Sequence, residues 1–301
     1  MTVAGTGARA RVLRTATVVA LLCSLAAGCS SKESMFDDGK VHVGAKGDQP
    51  GTSFEPHDGE FNGFDVTVAR ELLTAVDVDS PYFSGVLSKN RAANLQNGDL
   101  DLVAATFSIT PQRMKPQDEG GEGLDFVGPY ASTQQGILVR EEDYGQYKDH
   151  DDLDGRLVCV WEGTTSAQEL KGPAYDKIRT VEEEDAGYCI KALREKRVDA
   201  VSTDQLILYG FMNVERGLRV VPGIRFGEPN DYGIAMLKGH REDCERLRDA
   251  LRTYVNGNDW DRDFQNNLPK VPKADRDEAR PTPEEIDALS CRDKPSNAAV
   301  G

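Results

Sequence analysis

Histidine is scarce in this 301-residue chain: His42, His57, His150 and His240 are scattered, and none stands in HExxH or similar ligand spacing. GxSxG and GxxxxGK[ST] are both missing, so neither a nucleophile elbow nor a phosphate loop is encoded. No CxxC pair argues for metal or redox chemistry. No apolar run reaches the roughly 20 residues that a membrane-spanning helix needs. Cationic charge is outnumbered as well, with 36 Lys and Arg against 51 Asp and Glu and a formal net charge of −15. A surface this acidic argues against nucleic acid or anionic lipid as a partner. It leaves open a small internal site where a few local cations bind an anion.

What is present begins at the N-terminus. Arg9, Arg11 and Arg14 precede an apolar stretch, Ala16 to Ala27, that is broken only by Thr17 and Ser24. This is the n-region and h-region pattern of a secretory signal. The stretch ends in Leu25-Ala26-Ala27-Gly28-Cys29, which resembles the lipobox of bacterial lipoproteins. That resemblance implies a signal peptide over 1–28, with Cys29 as the lipid acceptor and the new N-terminus. The mature protein is then anchored to the extracytoplasmic face of the cell membrane and does not span it. Residues 29–39 are polar and read as a flexible tether. The folded region is expected from about Lys40 to about Leu268, and residues 269–301, rich in Pro, Lys and acidic residues, read as a weakly structured tail.

Within the folded region, Val41 to Ala45 reads as a strand, followed by a turn-rich segment through Gly59. A helix then opens at Gly63-Phe64-Asp65, with Asp65 a candidate N-cap. Val68, Ala69, Leu72, Leu73 and Val76 recur at helical spacing and belong to a core. A repeat is the most useful local observation. Leu95 to Asp101 is followed by the apolar run Leu102 to Ala105 and Thr106. Leu193 to Asp199 is followed by Ala200 to Thr203 and Asp204. Both read as a helix end, a tight turn and a buried strand, so Thr106 and Asp204 fall at equivalent strand ends of two similar lobes. Strands alternating with helices predict parallel α/β sheets. Ligands of such sheets sit outside the carboxyl ends of the strands, which places a cleft between the lobes. Lobe 1 is expected over 40–134 and 226–268 and lobe 2 over 135–225, with a helix from Asp243 to Val255 packed on lobe 1.

Six cysteines, less Cys23 in the signal and Cys29 at the anchor, leave Cys159, Cys189, Cys244 and Cys291. An even number in an exported protein favours disulfides. Three pairings are open. Cys159–Cys189 with Cys244–Cys291 is preferred because each pair then falls within one lobe or its appendage.

Gly63-Phe64-Asp65-Val66, Asn90-Arg91, Leu95-Gln96-Asn97-Gly98, Ile109-Thr110-Pro111-Gln112-Arg113 and Asp125 to Tyr130 resemble, taken in order, the family 3 solute-binding proteins, the polar amino-acid receptors of ABC importers. Gly163-Thr164-Thr165-Ser166 and Val198 to Asp204 fit the same family, and Lys46 to Gly51 is similar to its glutamate-binding members. The resemblance implies an α/β, two-lobed periplasmic-binding-protein-like fold of type II, with two crossover segments forming a hinge. It assigns Arg113, with Ser108, to the α-carboxylate of the ligand, a role that suits a guanidinium fork. It gives the α-ammonium to Asp204 with help from Thr106, and the distal carboxylate to Lys46, Ser88 and Arg91. Thr164 and Thr165 sit in a turn before a helix, where exposed N–H groups attract anions; Ser166 or Thr165 is the candidate cap. Trp161 is placed to cover the apolar stem of the ligand.

The expected function is the binding lipoprotein of an amino-acid ABC importer. Its ligand is glutamate or aspartate, with glutamine as the alternative. Its partners are the permease and ATPase subunits, it acts as a monomer, and no cofactor is implied. Some proteins of this fold are dehydratases or lytic transglycosylases, which need a cleft carboxylate; Glu162 is the candidate, and no enzymatic activity is expected. A sensor module would need an output partner outside this chain. Two departures from the family stand out. The loop between Arg113 and Asp125 is longer and rich in Gly and Glu, and the chain runs on past the usual end to Cys291.

Overall fold

A computed structural model of the protein describes residues 1–5 and 34–292. Cys29 and most of the expected signal peptide lie outside the described residues. The chain divides into residues 1–32 and residues 33–301, and every element below belongs to the second unit.

Lobe 1 begins with β1 (His42–Ala45), then β2 (Asp48–Gln49), β3 (Ser53–His57) and β4 (Glu60–Asn62). It continues through α1 (Phe64–Thr74), β5 (Tyr82–Gly85), α2 (Arg91–Gln96), β6 (Leu102–Val103) and α3 (Pro111–Met114). The long β7 (Leu124–Arg140) crosses to lobe 2. There follow β8 (Leu157–Trp161), α4 (Thr165–Glu169), β9 (Arg179–Glu183) and α5 (Ala186–Arg194). The lobe is completed by β10 (Ala200–Asp204), α6 (Gln205–Val214) and β11 (Leu218–Val220). The chain returns along β12 (Phe226–Leu237) and ends in α7 (Arg241–Asn256), α8 (Asp259–Asn267), α9 (Lys273–Ala279) and α10 (Pro283–Leu289).

The main sheet runs β5-β1-β6-β12-β7-β10-β8-β9, with β11 on β7. Its two ends are parallel, β1 with β5 and β6, and β8 with β9 and β10, as alternating strands and helices require. Its middle is antiparallel, because β7 and β12 are the two crossovers and pair with each other from Phe226↔Gln135 to Leu237↔Leu124. The hinge is therefore a two-stranded ribbon common to both lobes.

Periodicity explains the lobe 1 core. Val68, Ala69, Leu72 and Leu73 on α1 are buried, and they pack with Leu247, Leu251 and Val255 of α7. Phe64 meets the edge of Trp260 at 5.6 Å between ring centroids, and Trp260 stacks on Phe264 at 4.7 Å. Truncating a core aromatic of this kind costs about 3–5 kcal/mol. Gly63 starts α1 at φ +114°, and a Cβ there would lie 2.5 Å from Thr52 O, so only glycine fits. Both expected disulfides are present. Cys159–Cys189 ties β8 to α5, and Cys244–Cys291 ties α7 to the segment just after α10, with Cα separations of 5.5 and 5.8 Å.

Four expectations are corrected. The tail past Leu268 is folded: α9 and α10 bury Ala279, Ile286 and Leu289, helped by a Thr282/Glu285 capping box. Ser290 exchanges hydrogen bonds with the backbone of Gly128, and Tyr209 of lobe 2 donates to Asp275 of α9. The tail thus touches both lobes, and Pro- and charge-rich composition hid a few well-placed apolar residues. The tether is docked at its end, where Ser34 Oγ and Met35 N donate to Asp243 and Phe36 is buried. The turn-rich segment is a three-stranded sheet, β2-β3-β4. Asp65 does not cap α1, which has no side-chain cap; its carboxylate is used elsewhere, as described next.

Candidate functional site

Thr106 anchors the lobe 1 side. The expected strand end lies earlier, at Val103, and Thr106 sits beyond it at φ +45°, a conformation rare for a β-branched residue. The surroundings over-determine it. Its N–H donates to Asp65 Oδ2 at 2.7 Å, its hydroxyl to Gln49 Oε1 at 2.9 Å, and its carbonyl accepts from Arg91 Nη1 at 3.1 Å. Burial pushes the Asp65 carboxyl up to about 7, against the pull of the Thr106 N–H, the Tyr130 hydroxyl and Arg91.

Two buried guanidinium groups flank the Phe107 ring, Arg91 at 4.1 Å and Arg113 at 4.4 Å from its centroid. Arg113 is presented by the short α3, whose start is fixed locally: Thr110 caps it through the N–H of Arg113, and Pro111 stands at N1. Arg91 is held by Ser88 O, Ala105 O and Thr106 O. Burial lowers both, Arg91 to about 9 with a further push from Arg113, and Arg113 to about 10. Glu122, on the long loop between Arg113 and Asp125, offsets this on both arginines. The loop folds back through Gln112 Nε2 to Gly120 O and Gln96 Nε2 to Glu122 O, 2.7 and 2.8 Å. Lys46 is buried and ion-paired with Asp48 at 3.1 Å; burial lowers its pKa and Asp48 opposes the shift.

From lobe 2, Thr164 caps α4, accepting from Ala167 N and donating to Trp161 O at 2.7 Å. The cap is thus Thr164, not Thr165 or Ser166, because only Thr164 has the extended backbone of an N-cap. Asp204 occupies the N-cap position of α6 without making a capping bond. Its oxygens accept instead from Asn230 Nδ2 at 2.6 Å and the Tyr232 hydroxyl at 2.7 Å. Burial raises Asp204 to about 6; Tyr232, Asn230 and the two arginines oppose the rise.

The two sides are closed on each other. Arg91 Nη2 and Arg113 Nη2 both donate to Gly163 O across the cleft, at 2.9 and 3.2 Å. At the rim Lys89 pairs with Glu162 at 2.5 Å, and Ala186 N donates to Asp48 at 2.8 Å. Between them remains a cavity of about 10 Å³, room for about one water. Lobe 1 lines it with Gln49, Ser88, Arg91, Thr106 and Ser108; lobe 2 lines it with Trp161, Thr164, Thr165, Thr203, Asp204 and Ile207. The Ser88 hydroxyl and the Trp161 indole N–H are buried there without partners, which is costly unless a ligand atom answers them.

Seven of the nine residues expected to hold a ligand therefore line one cavity. The other two are not among the lining residues: Arg113 donates to the same Gly163 carbonyl as Arg91, and Lys46 is ion-paired with Asp48, which accepts from Ala186 N. Glu162 is half exposed at the rim. Gln49, Asp65, Asn230 and Tyr232 are not among the residues expected in the site. Gln49 and Asp65 stand inside quoted motifs and were legible as polar residues beside apolar ones; Asn230 and Tyr232 carry no local signal, since their partner is 26 or 28 residues away. A second cavity, of about 700 Å³, lies behind the hinge against α9 and α10 and contains none of the expected site residues. Among the described residues, no group of three or more His, Cys, Asp or Glu could hold a metal ion, and no helix is long and apolar enough to cross a membrane.

Comparison with known proteins bears on the family and the fold. The profile of the bacterial extracellular solute-binding proteins, family 3, matches residues 41–261. The glutamate-binding protein GluB of Corynebacterium efficiens is 33% identical over 264 residues, covering 81% of this chain and 87% of that protein. The ABC transporter glutamine-binding protein GlnH of Bacillus subtilis is 28% identical, covering 81% of this chain and 89% of its own length. Among solved structures, the amino-acid ABC transporter substrate-binding protein AbpA of Streptococcus pneumoniae, bound to L-arginine, superposes with a TM-score of 0.69. It is 22% identical and covers 77% of this chain and 96% of its own, a likeness of fold.

Proposed function

The chain belongs to the bacterial extracellular solute-binding proteins, family 3, and from that premise we propose that it is the receptor of an ABC amino-acid importer whose ligand is glutamate. The observation that carries this reading is the charge layout of one cleft: Arg91 and Arg113 on the lobe 1 wall, Asp204 on the lobe 2 wall. A zwitterion with a further carboxylate matches that layout, since each of its charges meets a buried group of opposite sign.

The ligand enters the open cleft and binds lobe 1 first. Arg113 and Ser108 take the α-carboxylate; Arg91, Ser88 and Lys46 take the distal one. Closure by the hinge brings Thr164, Thr165 and Asp204 onto it, with Thr106 and Asp204 taking the α-ammonium. Gly163 O now occupies donors of both arginines, so a ligand carboxylate replaces one acceptor with another and leaves neither cation unpaired. The free donors of Ser88 and Trp161 suit a side chain that ends in an acceptor. The closed form then docks on a permease, and ATP hydrolysis in a partner subunit drives transport. Cys29 tethers the receptor to the membrane; mass spectrometry of the mature N-terminus that found no diacylglyceryl cysteine would sink that part.

Glutamine is the second reading, favoured by the Lys46–Asp48 ion pair. That pair already balances the Lys46 charge, and neutral donors serve an amide oxygen as well as a carboxylate. Calorimetry with glutamate, aspartate, glutamine and arginine decides between them: glutamate should bind tightest, and a preference for arginine would overturn the charge argument. No turnover of prephenate or peptidoglycan is expected on incubation.

A further inference from the structure

The return strand β12 contributes nothing to the cavity lining, yet it controls the one anionic group there. Asn230 donates to Asp204 Oδ1 at 2.6 Å and to Thr165 Oγ1 at 3.0 Å. Tyr232 donates to Asp204 Oδ2 at 2.7 Å. Both oxygens of the carboxylate are thus oriented by a hinge strand, and Asn230 joins two of the three lobe 2 positions assigned to the ligand. Tyr232 itself belongs to lobe 1. It pairs with Ala131 and bridges to Ser108, its ring stands 5.9 Å from Tyr130, and it is buried. Its bond to Asp204 therefore crosses from one lobe to the other.

We propose that Tyr232 and Asn230 are positioning residues, which aim the Asp204 carboxylate into the cavity and hold it ionised so that it accepts the ligand ammonium on closure. The proposal rests on the assignment of the ammonium to Asp204 made above. A carboxylate aligned by two donors keeps lone pairs for a third, whereas one buried without them takes up a proton. The groups facing Asp204 are Tyr232 and Asn230 of β12, Arg91 of α2 and Arg113 of α3, with Asp65 and Tyr130 behind the Tyr232 hydroxyl. Removing one donor leaves burial less opposed. Asp204 then holds its proton to higher pH, and the pH below which affinity for an amino acid falls moves upward.

The test is calorimetric titration of glutamate into the full-length protein between pH 5 and pH 9, for the natural protein, Tyr232→Phe, Asn230→Ala and Asp204→Asn. Tyr232→Phe should weaken binding about tenfold at pH 8 and move the acid limb up by roughly one pH unit. Asn230→Ala should move it the same way, which keeps the test open if one variant folds poorly. A loss by the same factor at every pH, or no loss, overturns the positioning role. Asp204→Asn separates the two claims. If it leaves affinity unchanged, the assignment of the ammonium to Asp204 fails. If it abolishes binding while Tyr232→Phe leaves the limb in place, the assignment stands and the positioning role falls.

Discussion

Gly163 lies at a close approach of lobe 2 to lobe 1. It adopts φ +77°, and a Cβ there would stand 2.5 Å from both Lys89 N and Lys89 Cα and 2.8 Å from Ser88 C. These are backbone atoms of the turn that leads into α2, so the neighbour cannot swing aside. Carbon atoms pack at about 3.5–4.0 Å, so Gly163→Ala requires the lobes to part by roughly 1 Å at this point. The Gly163 carbonyl moves with its residue, and its bonds from Arg91 at 2.9 Å and Arg113 at 3.2 Å stretch beyond useful length. Each is a bond from a charged donor, worth about 1.5–3 kcal/mol. Losing about 3 kcal/mol from the closed form alone lowers the closed-to-open ratio by about a hundredfold. The left-handed alanine adds about 1–2 kcal/mol of strain to open and closed forms alike, which lowers the melting temperature without biasing closure. The chain provides its own reporter, having two tryptophans. Trp260 is in the lobe 1 core, while Trp161 lines the cleft and is 1% exposed when closed. Acrylamide quenching of ligand-free Gly163→Ala should rise through Trp161 and vanish again in the double variant with Trp161→Phe. Quenching equal to that of the natural protein, in a folded variant, would refute the claim that Gly163 sets the closure distance.

Three further outcomes follow from named contacts. Arg113→Ala should weaken every amino acid by about 2–5 kcal/mol, the cost of truncating one partner of a buried hydrogen-bonded charge pair; calorimetry that found the loss confined to acidic ligands would contradict its assignment to the α-carboxylate. Lys46→Ala should leave glutamine affinity within a few-fold and reduce the preference for glutamate, since only a ligand with a distal charge gains from that ammonium; equal losses for both ligands would remove Lys46 from the specificity argument. Cys291→Ser opens a disulfide that spans 47 residues and ties the tail to α7, and should cost about 2–5 kcal/mol in denaturant unfolding. A melting temperature unchanged by that substitution would mean that the buried residues of α10 hold the tail without it.

Much of the site could be read from short stretches because local rules fix it. Thr110-Pro111 starts a helix and thereby aims Arg113. Thr164 caps the next anion turn. The apolar run before Asp204 is a buried strand, so the carboxylate at its end had to be buried too. The disulfide pairs followed from assigning each cysteine to a lobe. Misreadings came where composition stood in for packing. The tail is polar on average, yet it buries Ala279, Ile286 and Leu289, and Ser290 and the Cys244–Cys291 disulfide add to that hold. Asp65 looked like a cap because helix starts favour acids, but Thr106 N–H, brought in from 41 residues away, is its partner.

The sequence by itself determined the alternation of strands and helices and the two similar lobes, which follow from periodicity, turn chemistry and a repeat, while the family and the residues that could meet a zwitterion came from the resemblance of its ordered motifs. Only the tertiary structure decided which groups are already occupied. It paired Lys46 with Asp48, set both arginines on the Gly163 carbonyl, and brought Tyr232 of one lobe to Asp204 of the other. The reason is that burial makes every unmet charge expensive, and which partner meets it depends on how β7 and β12 bring the lobes together, information spread over the whole chain and absent from any single motif.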